Sequence, residues 1–167
     1  YAARAPHRAG VLRVVNAADF SLRPAAPGSL LSVVGGRVSQ ASGNGLTYPV
    51  LAASDTDSQI QVPFEAAGPS VALALQTLAG NISVPLSVLP VSPGIFVSRD
   101  GVPMLLDADS ELLLNAGNTA RSGMRLQIFA TGLGRVSPDW PTGLAAPLEN
   151  APSVIAQRDR PDGAAAT

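Results

Sequence analysis

Apolar residues along this chain come in bursts of about four to eight, bounded by glycine and proline, a length that suits strands and falls short of helices. On this pattern residues 11–15, 30–34, 48–53, 59–62, 71–76, 82–88, 95–97, 104–106, 111–114 and 124–130 read as strands. Many short strands separated by turn residues predict an all-β sandwich. The clearest pair is 71–76 with 82–88, joined through 78–81 as a hairpin. In its second strand Ile82, Val84, Leu86 and Val88 share one face while Ser83, Pro85 and Ser87 share the other, so one side is wet. Pro85 has no N–H to give to a ladder, which assigns that strand to a sheet edge. In 124–130 the same alternation turns Met124, Leu126, Ile128 and Ala130 inward and Arg125 and Gln127 outward. Phe129 breaks the polar side. It either fills a contact between modules or beneath a loop, or stands exposed as a binding aromatic.

The pattern also repeats. Residues 27–35 echo residues 122–130 when Gly28 is set on Gly123, an offset of 95 residues (123 − 28). Upstream, Asn16-Ala17 and Asn115-Ala116 stand in similar positions at an offset of 99 (115 − 16). Such a period suggests two copies of one β module. The first copy is followed by further strands through Val88 before the 90–94 linker, whereas only 153–157 follows the second. The second sandwich therefore reads as incomplete, with its inner face partly uncovered: the chain is a fragment, or another chain supplies the missing strands.

Composition narrows the function more by exclusion than by indication. At 167 residues and 46% hydrophobic, the chain can bury a substantial core. Charged residues are only 14% of the total and the net charge is −1, so neither a phosphate backbone nor an anionic membrane is an expected partner. Its cations are all arginine, a usage that fits codon bias in a GC-rich genome. No apolar run approaches the roughly 20 residues of a membrane-spanning helix. The sequence starts at Tyr1 and carries no signal peptide, as suits a processed or trimmed fragment as well as a cytosolic protein.

Candidate chemistry is sparse. Cysteine is absent and His7 is the single histidine, which removes disulfides, thiolate nucleophiles and zinc or copper sites of ordinary type within one chain. A hydroxyl nucleophile would find no base except His7, in an Arg/Ala-rich segment ahead of the first strand. Asp55 with Asp57, and Asp107 with Asp109 and Glu111, could in principle offer oxygens to Ca²⁺. Their positions between apolar runs are explained by turns with Asx geometry. No spacing specifies a glycosidase pair, and the glycine pairs at 35–36 and 132–134 lack what a phosphate loop needs. Neither a catalytic residue, a cofactor nor a metal is therefore expected. Trp140, held between Asp139 and Pro141, either caps its own sandwich or stacks on a sugar ring or a protein partner. Tyr48 and Phe64 read as core or module-interface aromatics.

Several ordered motifs resemble an uncharacterised C-terminal domain family of exported proteins from Solibacter and other Acidobacteria, similar to tandem immunoglobulin-like IPT/TIG modules. The matching stretches are 15–20 (VNAADF), 26–33 (APGSLLSV), 58–65 (SQIQVPFE), 91–96 (VSPGIF), 130–138 (ATGLGRVSP) and 141–143 (PTG), within about 11–155. The resemblance implies an extracellular or cell-surface location, a structural or adhesive role, and no catalytic residues to transfer. The chain departs from the family's pattern after Gln157. The expected organisation is an extension at 1–10, a first immunoglobulin-like sandwich at 11–92, a second and incomplete one at 93–157, and an irregular tail at 158–167. The function expected first is a non-catalytic structural or adhesive module. A subunit of an extracellular filament joined by strand addition between copies comes second, and a carbohydrate-binding module using Trp140, with Phe129 as a further contact, third.

Overall fold

A computed structural model describes residues 11–155 and shows an all-β protein. The strands β1 (Arg13–Asn16), β2 (Leu30–Val34), β3 (Val38–Gly43), β4 (Leu46–Tyr48), β5 (Val50–Ala53), β6 (Asp57–Gln61), β7 (Ser70–Thr77) and β8 (Gly80–Ser87) come first. They form two four-stranded antiparallel sheets, ordered β1-β2-β6-β5 and β4-β3-β7-β8. After them come β9 (Gly94–Ile95), β10 (Leu105–Asp107), β11 (Leu126–Ile128), β12 (Ala130–Thr131), β13 (Val136–Ser137) and β14 (Ser153–Val154). These make two-stranded ribbons, β9 with β12, β10 with β11, and β13 with β14.

The two larger sheets close over one core. Leu31 and Val33 of β2, Ile60 of β6 and Val62 meet Val38 and Ala41 of β3, Tyr48 of β4, and Val71, Leu73 and Leu75 of β7. Alternation is strict on β7, whose Val71, Leu73 and Leu75 are buried while Ala72, Ala74 and Gln76 are exposed. The hairpin of β7 and β8 runs in register from Ser70↔Ser87 to Thr77↔Gly80, and Pro85 does sit on the edge strand. That edge lacks a donor where a foreign strand would look for one.

Four details depart from the sequence pattern, each for a local reason. The span 48–53 is divided at Pro49, where the chain leaves one sheet as β4 and enters the other as β5. β3 has no counterpart among the expected strands, because a bulge between Val38 and Gln40 puts its buried residues at Val38, Ala41 and Gly43 and destroys the period of two. Residues 111–114 are not a strand: Glu111 has φ of 59° and closes a turn, and Leu113 only bridges Leu106. Finally, 124–130 divides at Phe129 into β11 and β12, which pair with different partners.

Residues 90–144 are tied onto the first sandwich at several levels. The Leu30 N–H donates to Thr131 Oγ1 at 2.8 Å, and the Val97 N–H to the Ala18 carbonyl at 3.0 Å. Gly132, at φ of 77°, lies so close to the linker that a Cβ there would stand 2.1 Å from the Ser92 carbonyl oxygen. Only glycine fits that contact.

Candidate functional site

The repeat seen in the sequence is present in the structure, residue for residue over a short stretch. β1 pairs with β2 through Asn16↔Leu31 and Val14↔Val33, and β10 pairs with β11 through Asp107↔Leu126 and Leu105↔Ile128. The offsets are 91 for the first strand (107 − 16) and 95 for the second (126 − 31). The connecting turns match as well. Asn16 Oδ1 accepts from the Ala18 N–H at 2.8 Å and Asp107 Oδ1 from the Asp109 N–H at 3.0 Å. Each turn then closes on a left-handed residue, Phe20 at 56° and Glu111 at 59°. The Ala17 N–H donates to Leu30 O at 3.0 Å, and the Ala108 N–H to Arg125 O at 2.9 Å. The counterpart of Asn16 is thus Asp107, not Asn115, which caps a separate turn through its bonds to the Gly117 and Asn118 N–H groups. Gly28 and Gly123 do correspond, with φ of 75° and 83°.

The two copies differ in what covers them. Leu31 and Val33 are 2% and 0% exposed, whereas Leu126 and Ile128 are 41% and 52% exposed. On the first copy, β6 lies along the far edge of β2, and the chain after it brings Phe64 so close to Gly28 that a Cβ would stand 2.3 Å from its ring. Among the described residues, nothing lies within 4 Å of the corresponding point at Gly123. The Gly28 N–H donates to Val62 O at 3.0 Å and the Val62 N–H to Ser29 O at 2.8 Å. Among the described residues, the equivalent Gly123 N–H and Met124 carbonyl have no backbone partner. Of the residues expected inward, Leu126 and Ile128 therefore occupy the face equivalent to the core face of β2, and among the described residues that face is open; Met124 and Ala130 are half-buried, and Ala130 lies on β12. Met104, Leu112, Leu113 and Phe129 are exposed as well, but Leu113 bridges Leu106, which pairs with Gln127 on the opposite side of the ribbon.

The remaining sequence candidates fall elsewhere. The Trp140 Nε1–H donates to Leu144 O at 3.2 Å, folding its loop upon itself. The same loop docks on the first sandwich: Thr142 Oγ1 accepts from the Phe64 N–H at 3.0 Å, and the Gly143 N–H donates to Gln61 Oε1 at 2.7 Å. Phe64 thus sits at the contact between the halves, and Tyr48 is in the core. Phe129 is 38% exposed, and its carbonyl accepts from the Phe96 N–H at 2.9 Å. Trp140 lies on the loop after β13, and Phe129 lies between β11 and β12. Asp107 forms its turn: a hydrogen bond from the Ser110 hydroxyl, then the Asp109 N–H, holds its carboxyl below the usual aspartate value. Asp109 pairs with Arg125 across the ribbon. Among the described residues there is no group of three His, Cys, Asp or Glu side chains able to hold a metal ion. His7 and the expected extension and tail lie outside the described residues. A cavity of about 580 Å³ opens between the 66–69 and 88–91 loops, walled by Pro27, Pro69, Val88 and Leu89, with Arg135 and Ile155 along one side. No helix is long and apolar enough to cross a membrane among the described residues.

Sequence reasoning placed Leu126 and Ile128 on an inner face, and the structure leaves both of them exposed. It did not single out Gly123 as part of an open edge. The signal lay in the absent counterpart of 57–64 rather than in any residue that is present. No family model, curated protein or solved structure matches the chain.

Proposed function

We propose that this chain is a non-catalytic structural or adhesive module of a bacterial surface or secreted protein, acting through the faces of its sheets. The observation that carries this reading is the open apolar face of β11, where Leu126 and Ile128 stand exposed in a frame that elsewhere in the same chain is core. Exposed apolar surface of this kind marks a contact surface more often than a reaction site. The resemblance of 15–20, 26–33 and 58–65 to modules of exported proteins supports the location. The test is a panel of ester, peptide and glycoside substrates. The reading expects no turnover, and hydrolysis that survives repurification and follows the protein peak would overturn it.

A second reading, a filament subunit assembled by strand addition between copies, is favoured by the one-sided pairing of β11, which among the described residues has β10 as its only partner. Negative-stain images and sedimentation over a wide concentration range test it. A chain that stays monomeric throughout would remove it.

A further inference from the structure

The first copy supplies a template for what the second copy lacks. In the first sandwich, β2 holds β1 on one side and β6 on the other, with Leu31 opposite Ile60 and Val33 opposite Ser58. β11 holds β10 in the place of β1, in the same register, and its other edge is free among the described residues. The backbone groups that β6 and its extension satisfy on Gly28 and Ser29 recur, without partners among the described residues, on Gly123 and Met124. An edge, an apolar face and a row of backbone groups thus stand open in one place. Their spacing is set by the same chain's own example.

We propose that the free edge of β11 takes up an extended segment of another polypeptide, antiparallel, as a surrogate β6. The register of β2 with β6 fixes the side-chain requirement: a large aliphatic residue opposite Leu126, a small residue opposite Ile128, and polar residues between them facing out. Affinity comes from ladder hydrogen bonds and from covering Leu126 and Ile128, and selectivity from the alternation of the added strand. A residue matching Phe64, two positions beyond the core residue Val62, would close over Gly123 as Phe64 closes over Gly28. Arg125 and Asp109 pair with each other beside the edge, so the segment needs no fixed charge. The proposal rests on reading the chain as a module that acts through its faces. The other natural occupant, a second copy of the chain, is an outcome of the test.

The probe is a synthetic, end-blocked peptide carrying residues 56–64 of this chain (TDSQIQVPF), labelled at its N-terminus and titrated with the full chain by fluorescence anisotropy. Saturable one-to-one binding is expected, weakened about tenfold or more by Leu126→Lys or Ile128→Lys. A peptide with lysine in place of its isoleucine should bind no better than those variants do. Leu51→Lys, at an exposed position on the β5 edge, should leave binding unchanged, and circular dichroism checks that each variant keeps the native strand signal. Absence of binding would overturn the proposal. So would binding indifferent to Leu126 and Ile128, which would mean that the peptide displaces β6 itself. Self-association that is lost in Leu126→Lys and excludes the peptide would overturn it in favour of a second copy. Failure with the peptide leaves the non-catalytic module reading standing, and substrate turnover would remove that reading without touching the peptide result.

Discussion

Leu31 and Leu126 offer a paired experiment, because they occupy the same position of one repeated strand pair and differ only in cover. Leu31 is 2% exposed in the core, so Leu31→Ala loses the transfer free energy of the removed carbons and leaves a cavity, about 3 kcal/mol in all. Leu126 is 41% exposed and its open side collapses into solvent without a cavity, so only the transfer of its covered part is lost, about 1 kcal/mol. With a urea slope of about 2 kcal/mol per molar, the midpoints should fall by about 1.5 M and about 0.5 M respectively. Far-UV circular dichroism follows the sheets. Trp140, the single tryptophan, reports on the loop that docks beside Phe64, so its fluorescence shows whether the two halves unfold together. Equal losses for the two variants, at a protein concentration low enough to exclude association, would refute the reasoning. They would show that β11 is covered in solution as completely as β2.

Other expectations follow from single contacts. Tyr48 is buried and its hydroxyl has no partner among the described residues, so Tyr48→Phe should stabilise the fold by about 1 kcal/mol in urea melts. Burial raises the Tyr48 phenol above its ordinary value near 10, so its contribution is intact below that pH and is lost as pH rises and the unfolded chain ionises first. The alkaline decline should be smaller in Tyr48→Phe, and an unchanged profile would remove this explanation. Thr131→Val leaves the Leu30 N–H without its acceptor and should cost about 1–3 kcal/mol, with the Trp140 transition moving at least as far as the circular dichroism transition. Asp107→Asn should preserve the turn, since Asn16 fills the same place in the first copy. Because the Asp107 carboxyl is held low in the folded state, its contribution is present above the unfolded value and lost as pH falls through the folded one. The Asp107→Asn variant should lack that part of the acid sensitivity, read from melting temperature against pH.

What could be read from the amino-acid pattern was whatever kept a strict period. β2 matches its expected span, and the hairpin of β7 and β8, with Pro85 at the edge, follows from alternation and from the missing N–H. β3 escaped because its bulge removes the period, and β4 and β5 merged because a change of sheet at Pro49 leaves no trace in hydrophobicity. The Gly28 and Gly123 echo held because both positions need the left-handed region. The Asn16 and Asn115 echo failed because an Asx turn accepts aspartate as readily as asparagine, and Asp107 takes the role. The open face was legible only as a deficit. Alternation states which side of a strand is apolar, and says nothing about whether a second layer arrives to cover it.

The bonds from Leu30 to Thr131, from Val97 to Ala18 and from Phe64 to Thr142, with Gly132 set against Ser92, also have a mechanical meaning. They clamp the linker on both sides, so a swing of one half against the other has to break these bonds first.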